Sequence, residues 1–174
     1  ILARSVAETG SPARGFDWLR RLDGQTKEYV VNATLLLEKL SRREGLLTLW
    51  DLPDVLLEQK RGLPIGYVFP SSGTPVIDDA VGLVGRARHA AEARGFIEWL
   101  GSAEAQLLAT DRAFRLPART DLPRERLPPW AREVLGKLVP ARMDWDLVER
   151  EGPAWMATWD RTIRGRGSKT ETGN

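Results

Sequence analysis

Trp50-Asp51 closes the apolar run LLTLW at residues 46–50 and opens a helical pattern. In open α/β sheets, ligands lie beyond the carboxyl ends of strands, which is where this pair is expected to sit. An indole there can stack on a ligand, and a carboxylate beside it can accept hydrogen bonds from a cation or hydroxyl. The same residues suit a plainer role, with Trp50 filling a core edge and Asp51 capping the following helix. Asp78-Asp79 interrupts a second apolar run. Adjacent carboxylates in a strand point to opposite faces, so at most one faces a core, where an amide or an arginine must satisfy it. Asn32 and Thr34 stand at a helix start, where unpaired N–H groups and the helix dipole favour an anion. Simple N-capping accounts for Asn32 equally well. The Ser71-Ser72-Gly73-Thr74 turn also offers amides to an anion.

Other chemistries lack the residues they need. The 174 residues include no cysteine, which excludes disulfides, zinc–thiolate sites and thiol nucleophiles. His89 is the sole histidine, and one imidazole without partners is a poor ligand set for a transition metal. No G-x-S-x-G, Walker or G-x-G-x-x-G motif occurs, and no carboxylate spacing singles out an acid–base pair. We expect no catalytic residues, no cofactor and no resident metal. Basic and acidic residues number 26 and 24, leaving a net charge of +2. The charges are interspersed, which is the pattern of a solvated surface and not of a nucleic-acid face. No apolar run reaches the roughly 18–20 residues that span a bilayer. The chain starts at Ile1, inside a helical pattern and without a signal peptide, which suggests a fragment lacking an N-terminal portion.

The elements that would position these residues follow from periodicity and punctuation. Residues 1–8 suggest a short helix ended by Gly10. Ser11-Pro12 suits the start of a second helix over 13–22, stopped by Asp23-Gly24. Residues 29–31 form a short β-like run. Residues 33–43 place Leu36, Leu37 and Leu40 on one helical face. The continuous apolar run at 46–50 suggests a strand buried on both faces of a parallel sheet. A helix to about Arg61, a strand at 65–69, a turn at 70–75 and a strand at 76–84 follow. The helix at 90–100 should turn Phe96, Ile97 and Leu100 inward, and Ser102 should cap the next one. Residues 111–129, rich in proline and charge, suggest a surface connector. Further helices are expected at 130–138 and 145–152, with a new one starting at Pro153. Trp99, Trp155 and Trp159 suggest packing anchors. The polar tail suggests disorder.

The stretch 46–100, with LLTLWD, IGYVFP, SSGTPVIDDAVGLV and an alanine-rich helix in that order, resembles the C-terminal half of extracellular solute-binding proteins of ABC importers. The branch is the one that holds iron(III)-, thiamine- and polyamine-binding members. The resemblance implies an α/β fold: one lobe of a type II periplasmic-binding-protein fold, a small mostly parallel sheet flanked by helices, with a helical C-terminal extension. Residues 1–110 would be the lobe and crossover segment, 111–129 the connector, 130–164 the extension and 165–174 a disordered tail. It implies a non-enzymatic receptor that binds a small polar or ionic solute (iron(III), polyamine, thiamine or an anion) between two lobes and delivers it to permease subunits, in the periplasm or anchored at the surface. Trp50, Asp51 and Asp79 would line the cleft, with Asn32 and Thr34 nearby. Asp79 matches the acidic residue that receives an amine in polyamine-binding members, although Ile77 stands where an aromatic residue often precedes it. Iron carriers of the branch offer adjacent tyrosines; here Tyr29 and Tyr67 are far apart in the sequence.

Two other classes stay open at this point. One is the C-terminal domain of an α/β enzyme whose catalytic motif lies upstream. The other is a helical interaction domain, which would require almost no β content. If a lobe is missing, uncovered apolar surface should drive self-association as a homodimer, with Trp155, Trp159 and Ile163 as the expected contact face.

Overall fold

A computed structural model of the protein describes residues 1–166. The expected disordered tail falls, from residue 167 on, outside the described residues. The protein is helical, with 55% of residues in helix, 1% in strand and no sheet among the described residues. Eight α-helices are found among the described residues: α1 Leu2–Thr9, α2 Ala13–Gln25, α3 Ala33–Ser41, α4 Leu52–Lys60, α5 Ala90–Leu100, α6 Ala103–Ala113, α7 Pro129–Lys137 and α8 Trp145–Thr162. One 3-10 turn, Arg124–Arg126, lies between α6 and α7.

This overturns the expected α/β lobe with its small parallel sheet. Residues 46–50, 65–69 and 76–84 are not strands, and the β pairing found among the described residues is one isolated parallel bridge between Thr74 and Pro140. A strand exists only through a partner that accepts and donates its backbone hydrogen bonds. Residues 46–50 make no such bonds among the described residues. The carbonyl of Ile65 is taken instead by the Gln59 side chain at 2.7 Å. Apolar composition suggested runs that a sheet would cover, but it carries no information about a neighbouring strand.

The chain divides into two compact units, Ile1–Val31 with the C-terminal segment from Arg142, and Asn32–Ala141. In the first, Gly10 adopts a left-handed φ of 73° and its N–H caps α1 on the Val6 carbonyl, as its position suggests. α1 and α2 approach closely at Gly15, where an added Cβ would lie 2.9 Å from Leu2 Cδ2. Ser5 Oγ seals the corner, donating to the Ser11 carbonyl at 2.7 Å and accepting from the Gly15 N–H at 3.0 Å. α2 runs through Asp23-Gly24, the expected stop. Asp23 is buried, 4% exposed, and accepts from the Tyr29 hydroxyl and, at 2.7 Å, from the Gly165 N–H. Burial, and then the bond to Asp23, push the Tyr29 hydroxyl above its ordinary pKa. Tyr29 also meets Trp159 edge-on and carries Arg164 over its ring.

α8 continues through Pro153 as one helix, where a new start was expected. Proline there removes one helical bond and crowds the carbonyl four residues back. The apolar positions Leu147, Trp155, Trp159 and Ile163 nevertheless stay in helical phase across it, and Leu147 and Ile163 are buried. Keeping that stripe packed outweighs the lost bond.

In the second unit, α3 packs on α4 through buried Leu37, Val55 and Leu56. α6 and α7 contribute Ala105, Thr110, Ala131 and Val134, with Leu127 between them, all buried. Ser102 caps α6 as expected, accepting from the Ala105 N–H at 3.2 Å. Gln106 and Arg119 tie the proline-rich segment to the α5–α6 corner. Gln106 reaches the Leu100 carbonyl and the Ala118 N–H at 2.9 Å each, and Arg119 reaches the Gly101 carbonyl at 2.8 Å. The hydrogen bond from Arg119 holds the Asp121 carboxyl below the usual carboxylate range. Phe96, expected inward, and Trp99, expected as a packing anchor, are exposed and stack on each other with ring centres 5.7 Å apart. No described helix is long and apolar enough to cross a membrane.

Candidate functional site

The start of α4 carries the most developed of the expected site features. Asp51 precedes the helix in an extended conformation, and Pro53 occupies the first turn. The Asp51 carboxylate does not cap the helix, so the plain capping role is not the one it plays. The Trp50 indole N–H donates to Asp54 Oδ2 at 2.7 Å. That bond fixes the ring by its edge while the side chain stays 40% exposed. Buried Val55 and Leu56 anchor the helix beneath, and the buried Glu58 is met by Arg61 at 2.6 Å. An exposed indole face beside two carboxylates suits an organic cation, which gains from the ring quadrupole and from charge-assisted hydrogen bonds.

Asp79 has a partner that sequence alone did not indicate. Arg115, just past α6, donates to its carboxylate at 3.0 Å, and both side chains are exposed. Asp78 and Ile77 are exposed as well. Asn32 caps α3, its Oδ1 accepting from the Leu35 N–H at 3.0 Å, which leaves that oxygen engaged. Thr34 is exposed on the first turn. The Ser71–Thr74 turn is consumed structurally. Gly73 N–H bonds the Pro70 carbonyl at 3.0 Å, and Thr74 pairs on both sides with Val139 and Ala141 at 2.8 Å. Gly73 sits at φ +98°, and a Cβ there would approach Ala141 Cα to 3.0 Å.

Among the described residues, no hydrogen bond or ion pair joins Asp79 to Trp50, Asp51, Asn32 or Thr34. An open groove of about 440 Å³ lies elsewhere in the same unit, between α6 and the 3-10 turn. It is lined by Leu107, Leu108, Arg112, Arg126 and Leu127 among others, and includes none of the five expected ligand residues. His89 is exposed with Glu92 at 3.9 Å. No group of three His, Cys, Asp or Glu among the described residues is placed to hold a metal ion. Tyr29 is engaged with Asp23, and Tyr67 packs on Phe69 with ring centres 5.4 Å apart. Of the expected docking face on α8, Ile163 is buried under its own chain, and Trp155 and Trp159 are half-buried. The partners overlooked in the sequence are Asp54, Arg115 and Asp23. The i, i+4 spacing of Trp50 and Asp54 could have signalled the first; Arg115 lies 36 positions from Asp79, and no local pattern reports such a pair.

No protein-family model matches the chain, and no solved structure does. One curated relative is an uncharacterized protein of Haemophilus influenzae, 28% identical over 113 residues. The match covers 65% of this chain and 33% of the relative, so the shared region spans about a third of that protein's length.

Proposed function

We propose that the chain is part of the solute-binding component of an ABC importer, and that it binds a small organic cation of the polyamine or thiamine type. The observation that carries the proposal is the corner at α4: the Trp50 ring held by Asp54 at 2.7 Å, beside an Asp51 carboxylate not used for capping. The resemblance of residues 46–100 to this receptor class supplies the biological setting, with permease subunits as partners in the periplasm or at the cell surface. No bond of the solute is made or broken. The proposal rests on these side chains and not on a sheet. Among the solutes implied at the outset, two carboxylates beside an indole favour a cation over an anion.

Calorimetry with spermidine, thiamine, ferric citrate and phosphate as probes tests this. Spermidine or thiamine should bind, and Asp51→Asn or Trp50→Ala should weaken that binding at least tenfold. Absence of heat with both amines at millimolar concentration, or unchanged affinity in both variants, defeats the proposal.

A second possibility, a helical interaction domain, draws support from the helical architecture, which meets the condition of almost no β content. It requires that none of the four probes bind. The exposed Trp145 and Met156 of α8 are then the residues to examine first.

A further inference from the structure

The groove between α6 and the 3-10 turn holds about 440 Å³ and shares no lining residue with the α4 corner. Its volume falls within the roughly 300–1,000 Å³ of small-molecule sites. The apolar lining is Leu107 and Leu108 of α6, with Leu127 and Pro128 from the side of the turn. Leu127 is 4% exposed and so fixed in the core, while Leu108 is 46% exposed and bare towards solvent.

Four charged side chains line the same groove. Arg112 pairs with its neighbour Asp111 at 3.1 Å, so those two largely cancel. Glu104 of α6 and Arg126 of the turn pair with no described residue and not with each other. One wall therefore carries a free carboxylate, the other a free guanidinium, and leucines line the space they share.

We propose that this groove binds a short apolar peptide as its zwitterion, with the ammonium on Glu104, the carboxylate on Arg126 and the aliphatic side chains on Leu107, Leu108 and Leu127. The two free charges select the class. A fatty acid brings nothing for Glu104, and a simple amine brings nothing for Arg126. A peptide with free ends answers both, and the guanidinium fork matches a C-terminal carboxylate. A single amino acid holds its two charges on one carbon and cannot reach both walls. Each added residue separates the ends by roughly 3.3–3.6 Å, so two or three residues suit a groove of this size. The groove is open and both charges are wet, so each charged contact should contribute about threefold to fivefold in affinity.

Calorimetry of the 174-residue chain with trileucine, to about 5 mM, tests the proposal. Trileucine should bind. N-acetyl-trileucine and trileucine amide should each bind about threefold to fivefold more weakly, leucine more weakly still, and triglycine not at all. Glu104→Gln should erase only the penalty for acetylation, and Arg126→Gln only the penalty for amidation. Both side chains are exposed, so both variants should keep the helical circular dichroism of the parent. No heat with trileucine, capped peptides that bind as well as the free one, leucine binding as tightly, or penalties that both variants leave in place overturns the proposal. Trileucine binding that Trp50→Ala abolishes places the peptide at the α4 corner and overturns it equally.

Discussion

Asp23 and residues 46–50 show opposite solutions to the same requirement. Asp23 is a charged residue placed in the interior, and the fold supplies it with a hydroxyl from Tyr29 and an N–H from Gly165, 142 positions away. Residues 46–50 are mostly apolar chain placed at the surface, and among the described residues their backbone groups find no hydrogen-bond partner. A buried carboxylate without donors is too costly to persist, so its partners must be recruited within the chain. An exposed leucine costs less, and its cover can come from elsewhere. The Asp23 neighbourhood therefore marks where distant parts of the chain meet a charge, and residues 46–50 mark where apolar side chains are left in solvent.

The widest effect should come from breaking the first side of this contrast. Asp23→Ala leaves the Tyr29 hydroxyl and the Gly165 N–H without their acceptor and should cost about 3–4 kcal/mol, since each bond to a charged group is worth roughly 1.5–3. Urea unfolding followed by Trp fluorescence measures it, and a loss under 1 kcal/mol would mean that water replaces Asp23. Leu37→Ala empties a site only 1% exposed and should cost about 3 kcal/mol in the same assay. Gly73→Ala forces a side chain onto φ +98° and against Ala141 Cα. About 2 kcal/mol is expected, and a silent variant would show that the Thr74–Ala141 pairing is not held as described.

A pH series sharpens the comparison by a smaller amount. The Tyr29 hydroxyl titrates above its ordinary value of 10.0 in the folded protein, through burial and its bond to Asp23. The unfolded state loses that proton first, so the contribution is whole below about pH 10 and disappears as pH rises through the higher folded value. Thermal melts across that window should show a fall that Tyr29→Phe removes. The smallest effect is expected at the bare segment. Leu49→Thr should change monomer stability by less than about 0.5 kcal/mol, measured at low micromolar concentration. A larger loss would show that residues 46–50 are already covered within the monomer.

Much of the helical framework was legible because its signals are local. Gly10 ends α1, Ser102 caps α6, Asn32 caps α3, and the leucine stripe of α3 faces α4. Each of these depends on residues within about four positions of one another. The candidate site was legible in part. Trp50 and Asp51 do stand at the start of a helix with the ring exposed, but Asp79 faces Arg115 and not the other expected ligand residues. Nothing local distinguishes a carboxylate paired at long range from one left open.

Composition and periodicity determined by themselves the ends marked by Gly10, Asn32 and Ser102, which chemistries lack their residues, and which runs are apolar. Only the tertiary structure decided that those runs join no sheet among the described residues, that α8 passes through Pro153, and that Gly165 reaches Asp23 across 142 positions. The physical reason is the range over which each effect acts. A cap or a turn is satisfied by its immediate neighbours. A strand, a buried carboxylate or an apolar stripe is satisfied only by whatever the rest of the fold brings against it.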